Sequence, residues 1–132
     1  MKYALHKNRH GFTLVEIMIV VAIIALLAAI ALPNFVRARK RSQATRVLED
    51  LRILDYALDR WTIENNKSVG DVAVLSDLTP YIKDGSPVAQ GVDILGHSFS
   101  TTFSVDSTPK VPTQTFDVLS DVAPIAFWSP FY

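Results

Sequence analysis

The chain has 132 residues, nearly half of them hydrophobic, with no cysteine and a formal net charge of zero. That length accommodates one domain rather than two. The lack of cysteine excludes a disulfide framework, a thiol nucleophile and a thiolate metal site.

The zero charge is the sum of three unlike blocks. Residues 1–11 carry Lys2, Lys7 and Arg9 with no acid. Arg37, Arg39, Lys40 and Arg41 open a second basic stretch that runs to Lys67. Beyond it, Asp71, Asp77, Asp84, Asp93, Asp106, Asp117 and Asp121 face only Lys83 and Lys110. Loss of residues 1–11 would remove three cations and leave a side-chain balance of minus three. A basic block beside an apolar run meets lipid headgroups before it meets nucleic acid.

Apolar residues concentrate between Phe12 and Val36, and residues 12–32 read FTLVEIMIVVAIIALLAAIAL. The run is long enough to cross a hydrocarbon core as a helix. An ordinary secretory signal would be shorter and end in a small-residue cleavage site. Ala28, Ala29 and Ala31 offer such a site only at the expense of the spanning segment. Basic residues flank both ends, but the unopposed charge of residues 1–11 favours a cytoplasmic N-terminus. Two residues break the pattern. Glu16 places a carboxylate in the run, at about 2.5–3.5 kcal/mol if central and less near an end. It either reaches the interface or meets a cation inside a protein assembly. Pro33 lacks a backbone N–H and crowds the preceding turn, which predicts a kink or the end of the span.

A basic leader, Gly11, Phe12-Thr13-Leu14-Val15-Glu16, a long apolar run and then Pro33 form an ordered set. The set resembles type IV prepilins and the pseudopilins of type II secretion, tightly over residues 1–36 and loosely along the continuing helix. The resemblance implies a leader over 1–11, a transmembrane and filament-core helix over 12–36, and a periplasmic pilin-like head over 37–132. It implies cleavage between Gly11 and Phe12 by a prepilin peptidase/methyltransferase, with N-methylation of the new Phe12 amine. Gly11 suits that role, since a residue without Cβ leaves the bond unobstructed. By the same resemblance Glu16 is a filament-assembly residue that pairs with the Phe12 amine of a neighbouring subunit, and Pro33 marks a helix break. Outside a filament Glu16 is expected to be poorly satisfied. The implied partners are like subunits and an inner-membrane secretion or pilus assembly platform. The implied localisation is a single pass through the bacterial inner membrane, then a pseudopilus or pilus.

Past the apolar run, helical spacing resumes. Ala44, Val47, Leu48, Leu51, Leu54, Leu58 and Trp61 recur at steps of three and four, which predicts one buried face. Arg46, Glu49, Asp50, Arg52, Asp59 and Arg60 fall on the other positions, and Asp55 with Asp59 reads as a solvated face rather than a metal site. The helix is expected to end near Asn65-Asn66-Lys67-Ser68, before Gly70. Residues 74–82 predict a short helical turn, followed by a loop marked by Gly85, Pro87, Gly91 and Gly96. Alternation of Phe99, Thr101, Phe103 and Val105 with polar residues predicts a strand. Further strands are expected at 113–119 and 125–128. The fold class is α+β: a long N-terminal helix, membrane-spanning then amphipathic, packed against a small antiparallel β-sheet head.

The head echoes pseudopilins in Leu78-Thr79-Pro80-Tyr81-Ile82 and in the Asp-x-x-Gly turn of Asp93-Ile94-Leu95-Gly96. The acidic loop that binds calcium in major type II pseudopilins is not intact: Asp106, Asp117 and Asp121 are scattered, and no metal or other cofactor is predicted. The missing cysteine pair argues against a type IVa major pilin. The functional expectation is a pseudopilin, with a minor pilin serving adhesion, motility or DNA uptake as the alternative. Nucleic acid is not an expected partner of so acidic a head. A membrane-tethered enzyme or ligand-binding domain is the rival of another class. It lacks any catalytic arrangement, because His6 and His10 fall in the leader and His97 is expected alone in a surface turn. The aromatic tail from Phe127 to Tyr132 is expected to pack as core rather than bind a ligand.

Overall fold

The computed structural model describes residues 11–132. They fall into two compact units, divided between Val36 and Arg37. Helix α1 (Leu14–Glu64) contributes its first part to one unit and the rest to the other.

In the N-terminal unit every described residue is exposed, Phe12 at 82% and Leu14 at 76% among them. An apolar surface of this extent, broken only by Thr13, Glu16 and Asn34 among residues 12–36, is stable only against lipid or other protein. The segment is long and apolar enough to cross a membrane. Pro33 lies inside α1, so the helix break expected there is absent from the single chain. A proline removes one i→i−4 bond and leaves the bonds on either side in place. Here the Asn34 side-chain amide also donates to the Ile30 carbonyl at 3.3 Å, beside the orphaned turn.

In the C-terminal unit the amphipathic part of α1 carries the core. All seven apolar positions expected on its inner face, from Ala44 to Trp61, are buried, and Ala57 joins them. The helix ends at Glu64, as the Asn65–Ser68 cluster predicts. Strand β1 (Val72–Val74) follows and pairs antiparallel with β2 (Thr102–Ser104), Ala73 opposite Phe103. Both central residues face inward onto the α1 stripe's cluster. Between the strands lie α2 (Leu75–Leu78), a 3₁₀ turn at Thr79–Tyr81 and another at Val88–Gln90. Asp77 accepts the Val74 N–H at 3.0 Å and so opens α2 in the manner of a capping carboxylate.

The two further strands expected at 113–119 and 125–128 are helices: α3 (Thr113–Leu119) and α4 (Ile125–Trp128). Both follow an N-cap proline with extended ψ, 135° at Pro112 and 168° at Pro124, which ends the preceding extended segment where the helix begins. Thr115 and Leu119, four apart, bury one face of α3, a spacing that threonine-rich composition disguised as strand. The first expected strand shrinks to the three residues that find a partner in β1.

Candidate functional site

The residues singled out by sequence lie at the start of α1. Gly11, Phe12 and Thr13 precede the helix without regular structure. A Cβ built on Gly11 would meet no atom within 4 Å among the described residues, so none of them crowds the Gly11 side of the Gly11–Phe12 bond. Gly11 is the one described residue of the expected leader; the other ten lie outside the described residues.

Glu16 is not left without a partner. Its Oε2 accepts the Thr13 N–H at 3.3 Å, and the Thr13 Oγ1 accepts the Glu16 N–H at 3.2 Å. The Ile17 N–H reaches the Thr13 carbonyl at 3.3 Å and begins the helix. This is a reciprocal capping box with Thr13 at the N-cap and Glu16 three residues on. It satisfies two of the four N–H groups that a helix start leaves free, and it puts a carboxylate where the helix dipole favours one. The expectation of a poorly satisfied Glu16 is therefore corrected for the single subunit. The signal was visible as Thr-x-x-Glu, ahead of an apolar run. The structure brings Thr13 and Glu16 together, while Pro33 lies further along the same helix.

A second set of polar residues sits in the head. Asp93, buried at 2%, accepts the N–H groups of Leu95 (2.8 Å) and His97 (2.9 Å) and the hydroxyl of Thr115. His97 Nδ1 lies 2.8 Å from Thr115 Oγ1. The histidine expected alone on a surface turn is thus half-buried and tied to α3. The Asp-x-x-Gly turn is a structural clasp: its carboxylate organises the loop from within and joins it to α3. Asp50 is also buried, at 1%, and not on the outer face of α1 where its charge would place it. Neither oxygen has a protein hydrogen bond, and the nearest cation is Arg46 Nε at 3.6 Å. Burial pushes its carboxyl above the usual carboxylate range against the pull of Arg46, with Asp93 and Glu49 adding to the rise.

Asp55 and Asp59 line one open groove with Asp106. Burial, then the charge of Asp59, raises the Asp55 carboxyl. The Ser104 hydroxyl, then its own backbone N–H, holds Asp106 down. Among the described residues no three His, Asp or Glu groups converge closely enough to hold a metal ion.

Residues 6–32 match the family model described as the prokaryotic N-terminal methylation motif. The chain is 33% identical over 126 residues to the type IV wide pilus major component PilA4 of Thermus thermophilus, across 89% of this chain and 96% of that protein. It is 54% identical over 61 residues to the type IV major pilin protein PilA of Myxococcus xanthus, spanning 46% of this chain and 27% of that one. It is 34% identical over 61 residues to the type II secretion system core protein G of Klebsiella pneumoniae, spanning 46% and 44%. In the last two cases the alignment spans less than half the relative's own length. No solved structure gives a significant match.

Proposed function

Because the chain belongs to the type IV pilin-like family, we propose that it is the precursor of a structural subunit of a pilus-like filament and not an enzyme. One observation carries the reading: the Gly11–Phe12 bond, uncrowded by described residues at Gly11, stands directly before a capped helix whose first part is apolar and exposed and bears Glu16 in its first turn. A prepilin peptidase cuts that bond on the cytoplasmic side and the new Phe12 amine is methylated. The subunit then waits in the inner membrane as a single-pass protein with its head in the periplasm, until an assembly platform delivers it to its like.

Cleavage leaves a positive amine one residue from the Thr13–Glu16 box. In the filament Glu16 gives up its bond to the Thr13 N–H, or shares it, and pairs with the Phe12 amine of a neighbour. A buried pair of this kind adds little net stability but penalises misalignment, which suits an assembly register. Pro33, which already costs α1 a hydrogen bond, is where the packed helix loosens. Filaments built from Pro33→Ala subunits are expected to be measurably stiffer under fluctuation analysis of electron micrographs; equal stiffness would refute the hinge.

Within the family, a pseudopilin of a type II system is supported by the head segments at 78–82 and 93–99 and by the match to core protein G. A pilus subunit is the second reading, favoured by the near-complete alignment with the Thermus pilus component. The test is intact mass and N-terminal sequence of protein from membranes of a host with and without prepilin peptidase. A methylated chain beginning at Phe12, dependent on the peptidase, is expected. A chain beginning at Met1, or one cut after Ala28–Ala31, would sink the proposal. In the same hosts Glu16→Gln is expected to be processed yet missing from sheared filaments. Normal incorporation would remove Glu16 from the assembly role.

A further inference from the structure

Arg37 and Arg41 stand four residues apart on α1, so their side chains share one helical face. With Ala38 on the same helix, and Asp121 and Val122 beyond α3, they line an open groove of about 390 Å³. The one acid in that groove is already engaged. Lys40 Nζ lies 3.0 Å from Asp121 Oδ1 and 3.1 Å from its Oδ2. Arg37 and Arg41 are exposed and form no ion pair among the described residues. Two free guanidinium forks over a shallow, partly apolar floor match the oxygens of a phosphate diester.

The groove's place along the chain names the source of that phosphate. Residues 14–36 rise about 34 Å as helix, against a hydrocarbon thickness of about 30 Å. Arg37 therefore begins where the headgroups begin. The aspartate-rich sequence beyond Lys67 opposes a nucleic acid at the same place. Once residues 1–11 are removed, Lys2, Lys7 and Arg9 are gone, and the Arg37–Arg41 stretch holds the side-chain cations nearest the span.

We propose that the Arg37–Arg41 groove binds the phosphodiester of an anionic phospholipid in the periplasm-facing headgroup layer. This holds the stored subunit at a set depth before assembly. The inference rests on the single-pass membrane reading above.

The test uses the full chain in a neutral detergent, offered equal amounts of phosphatidylglycerol and phosphatidylcholine with matched acyl chains, with lipid adducts counted by native mass spectrometry. Each arginine near a headgroup surface adds roughly five-fold to anionic-lipid binding, so the phosphatidylglycerol adduct is expected to dominate by about tenfold or more. The double variant Arg37→Gln, Arg41→Gln is expected to lower that preference about tenfold or more, with its thermal midpoint unchanged because both side chains are exposed. Arg52→Gln with Arg60→Gln, further along the same helix, is expected to keep the preference. Equal adducts in the natural chain, or a preference undiminished in the Arg37/Arg41 variant, would overturn the proposal. So would loss of the preference to excess inorganic phosphate, which would indicate a free-anion site, or displacement of the lipid by an oligonucleotide. Failure of the membrane reading itself would look different, since neither lipid would then form an adduct.

Discussion

Trp128→Ala is expected to destabilise the C-terminal unit by about 3–5 kcal/mol, the range for deleting a large aromatic from a packed core. Trp128 is fully buried, the largest side chain so placed, and its indole N–H donates to the Ala123 carbonyl at 3.0 Å. Its ring also meets Phe127 edge-on at 5.2 Å. Truncation therefore opens a cavity and orphans a buried carbonyl together. A unit of this size has a total stability on the order of 5–15 kcal/mol, so a large part of it is at stake. The tail beyond Trp128 is fastened as well. The Val111 N–H donates to the Phe131 carbonyl at 2.8 Å, Lys110 Nζ reaches the Tyr132 carbonyl at 2.9 Å, and Phe116 packs on Tyr132 with ring centroids 4.9 Å apart. Carboxypeptidase is accordingly expected to spare the natural chain and to trim the variant, alongside a clear fall in the thermal midpoint of the detergent-solubilised protein. A tail trimmed in both at the same rate would mean that the aromatic C-terminus is not core.

The long, strongly periodic segments were legible and the short ones were not. Seven apolar positions of α1 could be placed on a buried face because steps of three and four over eighteen residues admit one helical solution. The segments that became α3 and α4 are too short for a period of two and a period of 3.6 to be told apart, and β-branched content tipped them the wrong way. Strand β1 was missed because its three residues take their identity from β2, which lies about 30 residues on and supplies the hydrogen bonds. The Lys40–Asp121 pair spans 81 positions and has no local signature at all. At the candidate site the failing was of another kind. Thr13-x-x-Glu16 stood in plain view, but a carboxylate in an apolar run drew attention to a partner in another subunit and away from the helix's own N-terminus. The capping box makes the carboxylate tolerable in the single subunit and leaves it one bond away from exchange.

Asp50 shows the same lesson with an energetic consequence. It falls three residues after Val47 and four before Leu54, so helix geometry alone puts it on the buried face, and only its charge argued otherwise. Replacement of a poorly compensated buried charge by an apolar side chain of similar size is often stabilising by about 1–4 kcal/mol. Asp50→Leu is expected to reach the middle of that range. Arg46, its one close cation, is half exposed and is left in water rather than stranded. The pH dependence follows from the raised carboxyl. A group whose folded value is raised favours folding most when protonated, below its unfolded value, and that contribution is lost as pH rises through the folded value. The advantage of Asp50→Leu should therefore be largest above the raised value. It should shrink as pH falls through the raised value and vanish below the ordinary carboxylate range. Thermal or denaturant unfolding of the two proteins at several pH values measures that difference directly. A variant less stable than the natural chain at neutral pH would show that the Arg46–Asp50 contact outweighs the desolvation of the acid. A pH-independent gain would instead assign the effect to packing, with Asp50 already protonated in the natural protein.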